Sequence, residues 1–115
     1  METTTAVIAL SALAHSGRLE IFRLLVRAGP AGVSAGDIAR ATGGLPNTLS
    51  ANLSILSQAG LAVSRREGRS IVYAAAFGTM RDLVGFLVDD CCGGSPELCA
   101  PLAQVAARAA HCEPA

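Results

Sequence analysis

The 115-residue chain has no tryptophan, no lysine and no cysteine before residue 91, and only 3% of it is aromatic. Without large rings, the core has to be built from Leu, Val, Ile and Ala; at 51% hydrophobic residues this favours packed helices. No apolar run approaches the roughly 18 residues of a membrane span, which argues against a membrane partner. The opening METTTAVIALSALAHSG lacks the basic start and sustained apolar run of a secretory signal, so a soluble, cytoplasmic protein is expected. Net charge is also missing: nine arginines balance nine carboxylates, so only a local basic cluster can argue for nucleic acid. The length fits one domain, short enough for oligomerisation to help its stability.

Glycine and proline divide the chain into short elements. A weak first helix over residues 5 to 14 carries Ile8 and Leu13 among alanines and needs a neighbour to lean on. RLEIFRLLVRAG puts Leu19, Phe22, Leu25 and Val26 at helical spacing and ends at Gly29-Pro30. Ser34 and Asp37 approximate a capping box for a short helix that stops at Gly43-Gly44, and Pro46 suits the first position of the next. In that helix Leu45, Leu49, Leu53 and Leu56 form one apolar stripe, while Asn47, Ser50, Ala51, Ser54 and Gln58 fall on the other side. LAVSRREGRSIVYAAA alternates as two strands, Leu61 to Arg65 and Ser70 to Ala74, around a turn containing Glu67-Gly68. Residues 77 to 90 return to helix, with Met80, Leu83, Val84 and Leu87 on one face; Phe86 and Val88 widen the apolar arc enough to suggest a subunit interface.

This order predicts a mainly α fold with a β-hairpin wing: a homodimeric winged helix-turn-helix arranged α-α-α-α-β-β-α over residues 1–90. Singly, Arg65, Arg66 and Arg69 read as solvated surface charges. Beside a helix with small polar groups outward they read as phosphate contacts that seat it in a major groove of duplex DNA. LAHSGRLEIFRLLVRAG and LPNTLSANLSILSQAGLAVSRREGRSIVYAA then carry a resemblance, over roughly residues 10 to 90, to the ArsR-type winged-helix repressors. The resemblance implies a homodimer that binds an imperfectly palindromic operator and releases it when an inducer, often a metal or metalloid, binds. Many members carry His-His and then Lys on the recognition helix, where this chain has Ala51, Asn52 and Ser54. No positive charge remains on that helix. Base reading is therefore assigned to Asn47, Thr48, Ser50, Ala51 and Ser54, with affinity from Arg65, Arg66 and Arg69 and a modest dependence on salt.

Four cysteines confined to the last quarter of an intracellular chain argue for metal or redox chemistry over a disulfide framework. The family's Cys-x-Cys arsenic site before the recognition helix is absent from GVSAGDIARA, and its Asp/His zinc site on the last helix is disfavoured because FGTMRDLVGFLVDD has no His. What remains is DDCCGGSPELC in the tail, residues 91–115. Gly93-Gly94 can end the dimer helix, and Ser95-Pro96-Glu97 can open a short helix that turns Cys99 back over Cys91 and Cys92. Three convergent thiolates suit arsenite or antimonite, which bind three sulfurs in a pyramid. Some arsenic-responsive members of the family carry a similar Cys-Cys pair and third cysteine. Two alternatives stay open: a four-sulfur zinc or cadmium site that adds Cys112, and a thiol switch in which Cys92 and Cys99 close a small loop. An enzyme that cradles arsenate is disfavoured because Asp89 and Asp90 adjoin the thiols, and the basic wing argues against a metal buffer.

Overall fold

The computed structural model describes residues 1–88. The tail 91–115 with all four cysteines, and the expected helix end at residues 89 and 90, lie outside the described residues. The described elements are α1 (Thr3–Leu13), α2 (Ser16–Ala28), β1 (Val33–Ser34), α3 (Ala35–Thr42), α4 (Pro46–Gln58), β2 (Ala62–Glu67), β3 (Ser70–Ala75) and α5 (Phe77–Val88). A single 3-10 turn, Gly29–Ala31, follows α2. The expected order of helices and wing strands is present, with one strand added.

That strand, β1, pairs antiparallel with β3 and makes a three-stranded sheet ordered β1-β3-β2. Two residues carry no readable period, so β1 is legible only through its partner. Gly32 makes the pairing possible: its φ is +75°, and a Cβ there would lie 2.6 Å from the Tyr73 carbonyl oxygen.

Leu25 from α2, Ile38 from α3, Leu56 from α4 and Leu61 ahead of β2 are fully buried and join the three central helices to the sheet. Burying each such side chain stabilises the fold by roughly 1.5 to 3 kcal/mol. On α2 the buried arc is Ile21, Phe22 and Leu25, with Val26 half-buried. Leu19, expected in that stripe, is 43% exposed. It lies with Ser16, Glu20, Arg23 and Arg27 along the outer face of the helix.

α1 packs in an unusual sense. Its buried side chains are Ala6, Ala9 and Ala12, while Val7, Ile8 and Leu10 are 53%, 50% and 41% exposed. Methyl groups at i, i+3 and i+6 let α1 approach α2 and α4 closely, and its large apolar groups are left outside. α5 buries Phe77 and Leu83 and packs Met80 and Phe86 partly on the core, but Leu87 stays 56% exposed.

Local signals set the helix ends. The Nδ1 of His15 accepts from the backbone N–H of Gly17 at 3.1 Å and of Arg18 at 3.3 Å, satisfying two open donors at the start of α2. Ser34 Oγ accepts from Asp37 N at 3.2 Å, the half of a capping box that the sequence anticipates. The Asp37 carboxylate pairs with Arg40 one turn on, and this bond, with Ser34 second, holds its pKa below the ordinary carboxylate value. Gly43, in the left-handed region, closes α3.

Candidate nucleic-acid interface

α3 and α4 are joined by Gly43, Gly44 and Leu45, the tight connection of a helix-turn-helix. Pro46 occupies the first position of α4, and no side chain caps that end. The first-turn N–H groups of the helix are thus left without a side-chain acceptor and are suited to a phosphate oxygen.

One arc of α4 is anchored by Leu49, Asn52, Leu53 and Leu56, all buried. The opposite arc carries Asn47, Ser50, Ala51 and Ser54, all exposed, with Thr48 exposed at its margin. Every residue assigned to base reading therefore lies on the open side of this helix. Ser54 is not wholly unengaged, since its Oγ accepts from Gln58 Nε2 at 3.3 Å. Leu45, expected in the buried stripe, is 73% exposed because it is the residue before the helix and leaves the helical path.

Asn52 is 7% exposed, the one buried polar residue among those described, and sequence reasoning had noted only that it replaces a family residue. The signal was available: at 100° per residue, position 52 falls about 40° from Leu56, at the edge of the stripe of Leu49, Leu53 and Leu56. Its Nδ2 approaches α2 at Gly17, where an added Cβ would lie 3.2 Å from it and 3.2 Å from the His15 ring. A residue without a side chain at 17 thus lets α4 sit against the N-terminus of α2.

The hairpin registers Arg65 with Val72, Arg66 with Ile71 and Glu67 with Ser70, leaving Gly68 and Arg69 as a two-residue loop. Gly68 has φ +62°, the first-position glycine that two-residue hairpins favour. Arg69, not Glu67, therefore stands at the tip. Strand alternation sends Arg65 and Arg66 to opposite faces of the sheet. Arg66 and Arg69 are exposed, and their guanidinium groups make no hydrogen bond among the described residues. Arg65 is separated from them: it donates to the carbonyl oxygens of Pro30 at 3.3 Å and Ala31 at 2.5 Å, and to Glu67 Oε2 at 3.1 Å.

An uncharged, outward-facing helix beside a hairpin tipped with arginine defines a winged helix-turn-helix DNA-binding protein. Residues 13–65 match the family model of a helix-turn-helix domain. The chain is similar to the homodimeric winged helix-turn-helix DNA-binding domain, fragment 1-100, of Mb0332 from Mycobacterium bovis, a possible ArsR-family transcriptional regulator. That similarity is 33% identity over 76% of this chain and 81% of the other, with a TM-score of 0.60. An ArsR-like transcriptional regulator from Rhodococcus sp. RHA1 is 26% identical over 73% of this chain and 76% of its own, at a TM-score of 0.65. HlyU from Vibrio cholerae N16961 is 27% identical over 76% of this chain and 97% of its own, at a TM-score of 0.60. No curated protein matches the chain. The chain belongs to the ArsR family of winged-helix transcriptional regulators.

The three cysteines assigned to an inducer, Cys91, Cys92 and Cys99, lie outside the described residues, as does Cys112. Among the described residues, no group of three or more His, Cys, Asp or Glu side chains is placed to hold a metal ion. No described helix is long and apolar enough to cross a membrane.

Proposed function

We propose that the chain is a homodimeric, cytoplasmic repressor that holds a palindromic operator and releases it when trivalent arsenic, or antimony, binds Cys91, Cys92 and Cys99. The observation that carries the DNA half is the α4 surface: Asn47, Thr48, Ser50, Ala51 and Ser54 are all exposed above a buried leucine seat. Asn47 suits adenine edges, and the hydroxyls and the Ala51 methyl suit hydrogen-bond and thymine-methyl contacts in a major groove. Arg66 and Arg69 supply phosphate attraction from the wing. Exposed Val7, Ile8 and Leu10 on α1 and Leu87 on α5 support a second copy as partner, because a monomer would leave that apolar surface in water.

For the inducer half, the donor set is the argument. Three thiols within nine residues match a soft, pyramidal centre and discriminate against hard cations. In sequence, Asp89 and Asp90 separate these cysteines from Val88, the last described residue of α5. Ordering them biases the separation of the two reading heads, and a coupling of about 1 to 3 kcal/mol is typical of such linkage.

The test uses the full chain to select duplexes from a random pool, then titrates the bound complex with arsenite. Reduced protein is expected to select a palindrome and release it on arsenite addition. Cys91→Ser, Cys92→Ser and Cys99→Ser each keep DNA binding and lose release, whereas Cys112→Ser keeps both. Equal loss at Cys112 with zinc or cadmium as the effective ion would install the four-sulfur site instead. Release by an oxidant but not by arsenite would install the thiol switch. Failure to select any duplex overturns the repressor reading.

A further inference from the structure

Arg65 was grouped with the wing arginines by sequence, but its surroundings differ from those of Arg66 and Arg69. Its guanidinium spans 34 and 35 positions of sequence to reach the carbonyl oxygens of Ala31 and Pro30 at 2.5 and 3.3 Å, while Glu67 Oε2 accepts from its Nε at 3.1 Å. Those carbonyls belong to the 3-10 turn that ends α2, the helix against whose N-terminus α4 is seated. β2 is an edge of the sheet, paired on one side with β3 and exposed from Val63 to Glu67, so the Arg65 contacts add a second tie between the wing and the helices. Nε, Nη1 and Nη2 each serve a different acceptor, the Glu67 carboxylate and the Pro30 and Ala31 carbonyls, a spread that the single nitrogen of a lysine ammonium does not reproduce.

We propose that Arg65 is a positioning residue: it straps the wing to the end of α2 and so fixes where Arg66 and Arg69 stand relative to α4, without itself touching phosphate. This rests on the proposed DNA reading of α4 and the wing. The strap gives the wing a defined angle before DNA arrives, and its loss leaves the same charges spread over more orientations.

The experiment compares Arg65→Lys, Arg65→Ala and Arg69→Ala with the parent on the duplex that the parent selects, over a range of salt. A phosphate contact is satisfied by any positive charge, but the strap is not, so Arg65→Lys is expected to weaken binding nearly as much as Arg65→Ala, by about threefold to tenfold. Both are expected to leave the slope of log K against log salt unchanged, while Arg69→Ala lowers it by about 2 for a dimer losing two contacts. Parental affinity in Arg65→Lys, or a lowered slope in Arg65→Ala, overturns the strap. A parent that selects no duplex overturns the DNA reading instead, and the strap is then judged by amide resonances in the free protein. There Arg65→Lys must shift both Ala31-Gly32 and Gly68-Arg69; shifts confined to β2 would refute it.

Discussion

α4 and the wing face the same proposed ligand with opposite chemistry. From Pro46 to Gln58 the helix has no ionisable side chain, whereas the hairpin places Arg65, Arg66 and Arg69 within five residues. The helix is seated by Leu49, Asn52, Leu53 and Leu56, while the wing is exposed along most of β2 and is held by its pairing with β3 and by the Arg65 guanidinium. Under the proposed DNA reading the contrast divides labour: the seated, neutral surface would discriminate among base edges, and the charged wing would supply attraction that is blind to sequence.

The largest effect that would break this contrast is the loss of the helix's seat. Leu56→Ala removes a fully buried side chain from the centre of the core, and a loss of about 2 to 5 kcal/mol is expected, read as a lowered midpoint in urea or heat. DNA binding should fall with it for every duplex. Asn47→Ala sharpens the contrast from the helix side, since nothing in the fold rests on that exposed amide. It should cost about 1 to 3 kcal/mol at one base position and leave the salt slope intact, measured by competition among single-base variants of the selected site.

Smaller effects come from the supports. His15→Ala removes the acceptor for two N–H groups at the start of α2, where α4 is seated, and should lower stability by about 1 kcal/mol in thermal melts. Smallest is the acid response of α3. The Asp37 carboxyl is held below its ordinary pKa by Arg40 and then Ser34, so its contribution is present above the ordinary carboxylate range and lost as pH falls through the folded value. Because the pair is exposed, Asp37→Asn should differ from the parent only slightly, and only above about pH 4.

Much of this architecture was legible in the sequence because its signals are local. The steps of four and three in α4, the Ser34 cap and the Gly68 turn of the hairpin each act within a few residues, and the structure contains all three; the alternation expected in the first wing strand does not appear as alternating burial, because β2 is exposed from Val63 to Glu67. What escaped depended on distant partners. β1 exists because Gly32 lets the chain lie against Tyr73, and α1 turns its alanines inward because α2 and α4 approach closely. Arg65 looked like its neighbours because a string of residues does not show which carbonyl 34 positions away will meet a guanidinium. The residues assigned to base reading were chosen by helical phase, and their exposure follows from the same phase. The cysteine assignment rests on donor chemistry and spacing in the sequence.

The most direct test of the division between helix and wing is the salt dependence of binding by the unmodified protein on the duplex it selects. With Arg66 and Arg69 as the phosphate contacts of each subunit, four in a dimer, log K should fall against log salt with a slope of about −3.6. A slope of about −8 or steeper would contradict the account, because it would require phosphate contacts from arginines well beyond the wing.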